Sequence, residues 1–271
     1  MLIDTHCHLD AREFDTDREA VIAAAHQAGV NTIVIPAVDV HNFTTVRDLA
    51  HTHEGLFYAL GIHPLCVPNA TEQDLQQLEH CLQTAVGDLR CVAIGEIGLD
   101  FFVPELKTEA MQAKQVYFYE QQLKLAKQFD LPVLLHVRRS VDMVTKYLRR
   151  HEGVTGIAHA FNGSMQQAEI LIQLGFKLGF GGTLTFNAAK NIRRLATELP
   201  IEAIVLETDA PDIAPSWLGV QSDAQRNQPA ELSGIAQCLA DLRDLEKSEL
   251  ARLTTRNAQA ILPRLVEANP A

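Results

Sequence analysis

The stretch AIVLETDA, residues 203–210, is the eighth of its kind in the chain, and its reading decides the fold. It is short and apolar up to its Glu-Thr-Asp end, as a parallel strand buried on both faces must be. Seven runs of the same character precede it: LIDTHCHL (2–9), NTIVIPAV (31–38), LFYALGIH (56–63), CVAIGEIG (91–98), PVLLHVR (132–138), TGIAHAF (155–161) and FKLGFGG (176–182). Five or six such runs would suit an open doubly wound sheet. Eight, each followed by helical sequence, predict an α/β fold of the (β/α)8 TIM-barrel type, with residues 1–271 as a single domain.

The intervening stretches carry helix signals. DREAVIAAAHQAG (17–29) closes on Gly29. TEQDLQQLEHCLQTAVG (71–87) opens with Thr71 and Asp74 in capping-box register, and SMQQAEILIQLG (164–175) opens with Ser164 and Gln167. Two connections are long, LDFFVPELK (99–107) and PDIAPSWLGVQSDAQRNQ (211–228). Both follow strands, so both belong at the C-terminal mouth of the barrel, where barrel enzymes keep their active sites.

Hydrophobic residues make up 47% of the chain, enough for a sizeable core. The formal net charge of −11 sets the surface as a whole against polyanions and leaves room for a bound cation. Five cysteines (Cys7, Cys66, Cys81, Cys91, Cys238) without C-x-x-C spacing fit neither a disulfide framework nor a zinc ribbon. With no signal-like or membrane-spanning segment, the expectation is a soluble cytoplasmic protein that contacts no membrane, and nothing points to a protein partner.

Chemistry collects at the ends of the runs. On a strand, residues i and i+2 share a side, so His6 and His8 converge while Cys7 faces away. The same spacing recurs at His51 and His53, but in the helical stretch VRDLAHTHEG, where the two side chains diverge by about 200°. That pair is expected at a solvated helix end. Glu96, His136, His159 and Asp209 close the fourth, fifth, sixth and eighth runs, and a barrel brings all of these positions around one mouth. Singly, each is explained as a hydrogen-bonded core histidine, a helix cap or an ion-pair partner of Arg138. Together, four histidines and two carboxylates match a binuclear divalent site for zinc, manganese or magnesium, and without a cation they would leave buried charge unpaired. His63, in GIHP, faces the same mouth as a substrate contact or a supporting residue.

The stretches DTHCHLD (4–10), GIHP (61–64), GEIGLDF (95–101), LLHVR (134–138), HAFNGS (159–164), LETDAP (206–211) and RNQP (226–229) together resemble the serial signatures of the TatD family of metal-dependent hydrolases and deoxyribonucleases. The resemblance implies a TIM barrel of the amidohydrolase-like superfamily holding two divalent metal ions. His6, His8 and Asp209 would hold one ion, His136 and His159 the other, and Glu96 would bridge them. Two departures bear on substrate preference and remove no ligand: Ala160 stands where many members have cysteine, and Gln228 where glutamate is frequent.

The expected reaction is hydrolysis of a phosphodiester, as by a 3'-5' exonuclease acting on a nucleic-acid end or a small phosphodiester. Glu96 and Asp209 are its catalytic carboxylates, with Asp209 as general base toward a water activated by the ions. His63, Arg138, Arg226 and Asn227 are the candidate substrate contacts; Arg138 suits phosphate through its planar fork, or else pairs with a mouth carboxylate. One alternative is hydrolysis of a carbon-centred ester or amide, such as an aminoacyl ester, lactone or amide, on the same metals. Another is a barrel that stores or senses metal without turnover.

Overall fold

Buried β-branched and aliphatic residues build eight parallel strands: β1 (Leu2–Asp4), β2 (Val30–Pro36), β3 (Leu56–Leu60), β4 (Cys91–Asp100), β5 (Val133–Arg138), β6 (Gly156–Ala158), β7 (Phe176–Phe180) and β8 (Ile204–Leu206). The computed structural model describes residues 1–219 and 226–268. Within them the strands pair in sequence order, β1 to β8, every pair parallel. The remaining seam is bridged by backbone bonds just beyond the two edge strands: Thr5 N–H to Leu206 O (3.1 Å), Asp209 N–H to His6 O (2.8 Å) and His8 N–H to Ala210 O (2.8 Å). The expected (β/α)8 barrel is therefore the fold.

The helices lie outside the strands: α1 (Arg18–Gln27), α2 (Phe43–Thr52), α3 (Glu72–Thr84), α4 (Glu109–Phe129), α5 (Val141–Leu148), α6 (Met165–Gln173), α7 (Lys190–Glu198), α8 (Leu232–Leu242), α9 (Lys247–Ile261) and α10 (Arg264–Glu267). Both expected capping boxes form, Thr71 with Asp74 on α3 and Ser164 with Gln167 on α6. None of these helices is long and apolar enough to cross a membrane.

Strand alternation divides the core in two. Ile33, Ile35, Leu56, Tyr58, Val133 and Leu135 point outward into the layer beneath the helices. Ile3, Val34, Phe57, Leu134, Ile157 and Val205 fill the barrel interior, where Ala258, Ile261, Leu262 and Leu265 of the last helical segment close its lower end. The interior is thus apolar below, and its polar residues collect at the mouth.

Several strands are shorter than the apolar runs that predict them. β1 stops at Asp4, β3 at Leu60, β6 at Ala158 and β8 at Leu206. In each case the tail that leaves the ladder carries a mouth residue, namely His6 and His8, His63, His159, or Asp209.

Candidate metal centre

Beyond β1 the chain stays extended between its neighbours, with Thr5 held by Leu206 O, Cys7 by Val34 O (3.1 Å) and His8 by Ala210 O. The alternation expected of a strand therefore persists past its end: Cys7 packs into the outer layer while His6 and His8 face the mouth. His6 Nε2 lies 3.1 Å from Glu96 Oε2 and 3.6 Å from Asp209 Oδ1, and His8 Nε2 lies 3.4 and 3.6 Å from the same atoms. The helical pair at the end of α2 behaves as its periodicity requires: His51 meets Asp88 at 2.8 Å and His53 meets Glu19 at 3.3 Å.

Glu96 reaches the centre because the ladder between β4 and β5 slips between Ile94 and Ile97. Gly95 makes the slip possible: it sits at φ 138°, and a Cβ there would lie 2.5 Å from Leu134 O. One oxygen of Glu96, Oε2, faces His6 and His8. The other, Oε1, lies 2.7 Å from His159 Nε2, 2.9 Å from His136 Nδ1 and 3.1 Å from His63 Nε2. Ligand atoms bound to one ion at about 2.0–2.1 Å in tetrahedral geometry stand about 3.3 Å apart, which is the spacing seen here.

Three overlapping groups emerge: His6, His8 and Asp209; His6, Glu96 and His159; and His63, Glu96 and His136. The first is the set expected for one ion. The rest divides differently from expectation, since His159 stacks on His6 (4.0 Å, 13° between planes) and His63 joins His136 as a possible ligand.

The chemistry of this donor set fits divalent cations. Among the described residues, His6 Nδ1 and His159 Nδ1 are buried without a hydrogen-bond partner. Burial, with His159 adding to it, pushes the pKa of His6 down to about 3. Burial opposes charge on His8 and His159 as well, but Glu96 and Asp209 outweigh it and raise them to about 9 and about 10. Glu96 is equally buried, yet His63, His159 and His6 hold its carboxyl well below the usual range. Burial instead lifts Asp209. The mouth demands positive charge, which protons supply on the imidazoles when no cation does.

Four residues absent from the sequence reading support the cluster. Asp100, at the end of β4, accepts from His136 Nε2 at 3.1 Å and from the Phe102 and Val103 backbone N–H groups at 2.7 and 3.0 Å. That contact leaves His136 Nδ1 for Glu96 and a cation. Glu207, buried below Asp209, accepts from the Ala160 backbone N–H next to His159, and burial raises its pKa to about 8. On α4, Gln122 clamps both backbone groups of Ile62 (2.7 and 3.1 Å), and Gln115 clamps both of Asp100 (2.8 and 3.1 Å). A period-two signal existed for Glu207 and Asp100, each an even number of residues from a ligand on its own run. None existed for the glutamines.

The mouth opens into a cavity of about 960 Å³, lined among others by His8, His63, Glu96, His136, His159 and Asp209. Arg138 lines it too, with a half-exposed side chain 3.9 Å from Asp100. Two expected substrate contacts, Arg226 and Asn227, are not among the described residues that line this cavity. Arg226 forms a bidentate pair with Asp17 (2.9 and 2.7 Å) and stacks over Phe14, which commits its fork away from the cavity. Asn227 is fully buried, its amide donating to Thr208 O (2.9 Å) and Asp212 O (2.7 Å); it braces the chain around Asp209.

Residues 3–263 match the family model described as TatD related DNase. The chain is 40% identical over 260 residues to the uncharacterized metal-dependent hydrolase YjjV of Escherichia coli, covering 96% of each chain. It is 30% identical over 269 residues to the putative deoxyribonuclease tatdn3 of Danio rerio, covering 97% of each. Its fold superposes with a TM-score of 0.89 on the crystal structure of the TatD homolog YjjV from Escherichia coli, at 38% identity and covering 97% of this chain and 98% of that one.

Proposed function

The chain belongs to the TatD family of metal-dependent hydrolases, and from that premise we propose that it cleaves phosphodiesters at the end of a nucleic-acid strand, with divalent cations held by the histidine and carboxylate cluster. His6, His8 and Asp209 would hold one cation, and His136 and His159, with His63 beside His136, would hold a second; Glu96 turns one oxygen toward His6 and His8 and the other toward His159, His136 and His63. When bound, such cations lower the pKa of water and polarise a phosphoryl oxygen.

The residues divide the remaining work. Asp209, at the cavity wall and raised in pKa by burial, takes the proton of the attacking water. Glu96 holds both histidine sets in register. Arg138 presents a planar fork to the non-bridging oxygens from the same wall. The observation that favours a phosphodiester over a carbonyl substrate is the pair Arg138 and Arg139, which line this cavity together with the carboxylates Asp10, Glu13 and Asp212 in a chain of net charge −11. A phosphodiester is anionic already in its ground state and so gains binding from two guanidinium groups, whereas a neutral ester or amide meets them only through its developing oxyanion.

Metal-stripped protein reloaded in turn with magnesium, manganese and zinc, and offered single-stranded DNA, RNA, a simple phosphodiester and a panel of esters and amides, tests the reading. Phosphodiester cleavage that disappears in His136→Ala and Asp209→Asn is the expected result. Turnover of esters or amides alone overturns it, as does tight metal binding with every substrate intact.

A further inference from the structure

Phe102 is one of the few large hydrophobic side chains left exposed, at 38%, and it sits on the cavity wall with Arg138 and Arg139. The Arg138 guanidinium carbon lies 4.0 Å from its ring centroid and that of Arg139 4.7 Å, with Lys107 Nζ at 5.8 Å. Successive residues of a strand normally point to opposite sides. Arg139 follows β5 in the left-handed region, at φ 55°, and this turn lets both arginines reach one ring. Among the described residues neither Arg139 nor Lys107 has an ion-pair partner, and Arg138 has only Asp100 at 3.9 Å. Three cations therefore surround one aromatic ring at the rim of an acidic protein, with little to neutralise them.

The cluster is fixed to the reaction centre. The carboxylate of Asp100 that receives His136 Nε2 also accepts from the Phe102 and Val103 N–H groups, so one side chain sets both a candidate metal ligand and the start of the loop bearing the ring. The ring and its arginines stand at a set distance from wherever a phosphodiester is cut.

We propose that Phe102, Arg138 and Arg139 form a nucleotide subsite, in which the base flanking the scissile phosphate stacks on the planes of the ring and guanidinium groups while the Arg139 N–H groups take the next phosphate along the strand. The inference rests on the phosphodiester reading and adds to it a residue-level site for the base beside the scissile phosphate. Every base has a π-face, so such a platform tolerates any sequence. A base still paired and stacked in a duplex is not free to use it.

The test compares wild type, Phe102→Ala and Phe102→Trp on a single-stranded oligonucleotide, the same oligomer with abasic sites, and a fully abasic deoxyribose phosphodiester dimer, which carries no aromatic ring. The expected result is that wild type prefers the intact oligomer to the abasic one, and that Phe102→Ala raises the KM for the intact oligomer about ten- to hundred-fold. That loss should exceed any loss on the abasic dimer by at least ten-fold, and Phe102→Trp should restore most of it. If Phe102→Ala matches wild type on the oligomer, or loses equally on all three substrates, the subsite is refuted while the phosphodiester reading stands. If wild type cleaves none of the three under any metal, both fall together.

Discussion

At Asp100 a single carboxylate settles which nitrogen His136 offers. Because Asp100 accepts at Nε2, the lone pair toward Glu96 belongs to Nδ1, and the imidazole is held by a group that itself receives two backbone N–H bonds. Asp100→Asn is expected to weaken metal affinity about 10- to 100-fold, read by calorimetric titration of the stripped protein. An unchanged affinity would mean that His136 is oriented by packing alone. Gly179 makes a sharper case, because a Cβ there would lie 2.0 Å from Glu207 Oε2. Gly179→Ala should destabilise the fold by about 1–3 kcal/mol in urea denaturation. The penalty should nearly vanish in a Glu207→Ala background, where the clashing carboxylate is gone, so the pair would show strong coupling in a double-mutant cycle.

Among the elements, α4 does more than cover the sheet. Gln115 and Gln122, two turns apart, both reach inward to bind peptide groups at the ends of β4 and β3, where Asp100 and the chain leading to His63 leave the barrel. Gln122→Leu keeps similar volume but leaves a buried N–H and C=O unmatched, which should cost about 1–3 kcal/mol in thermal or urea unfolding. A neutral result would show that water replaces the amide. The connection before β4 offers a pH test. Burial works against charge on Asp88, but Tyr58, His51 and the Arg90 N–H hold its pKa below the ordinary 3.8. A depressed carboxyl contributes stability that is present above its unfolded pKa and lost as pH falls toward the folded value. The stability gap between wild type and Asp88→Asn should therefore be present at about pH 5 and close as the pH falls below about 4; a gap that grows over that acid range would contradict that sign.

Strand runs and the residues closing them are legible because a buried parallel strand must be apolar and a barrel must gather strand ends. His6, His8 and Asp209 follow from that topology. The pairing of Arg226 with Asp17 and the burial of Asn227 do not, since nothing local tells an arginine facing a phosphate from one facing a neighbouring helix. Gln115 and Gln122 are hidden for a related reason: on an amphipathic helix a glutamine bonded to another element's backbone has the same periodicity as one bonded to water.

Over the whole molecule, the barrel separates two environments along one axis. Below, Val34, Phe57, Leu134 and Val205 meet the plug of Ile261, Leu262 and Leu265 in a purely apolar layer. Above it lie Asp4, Glu96, Glu207 and Asp209, all buried, in a chain already carrying excess negative charge. Asp4, held by Thr208, is lifted by burial to about 7, and Glu207 to about 8, so the carboxyl layer is relieved partly by protons and partly by the histidines above. Cations in the mouth bind the folded chain and not the unfolded one, where the strand ends are scattered. At a free-ion concentration about a thousand-fold over Kd, one site adds about 4 kcal/mol. With about 2–4 °C per kcal/mol for a chain of this size class, chelation should lower Tm by about 8–16 °C, and readdition of the ion should restore it. The double variant His6→Ala/His136→Ala, which strips a ligand from each set, should melt at the same temperature with and without the ion. If wild type itself shows no shift at saturating ion, the cluster is a buried acid and histidine network that closes on its own protons, and the hydrolytic reading loses its cofactor.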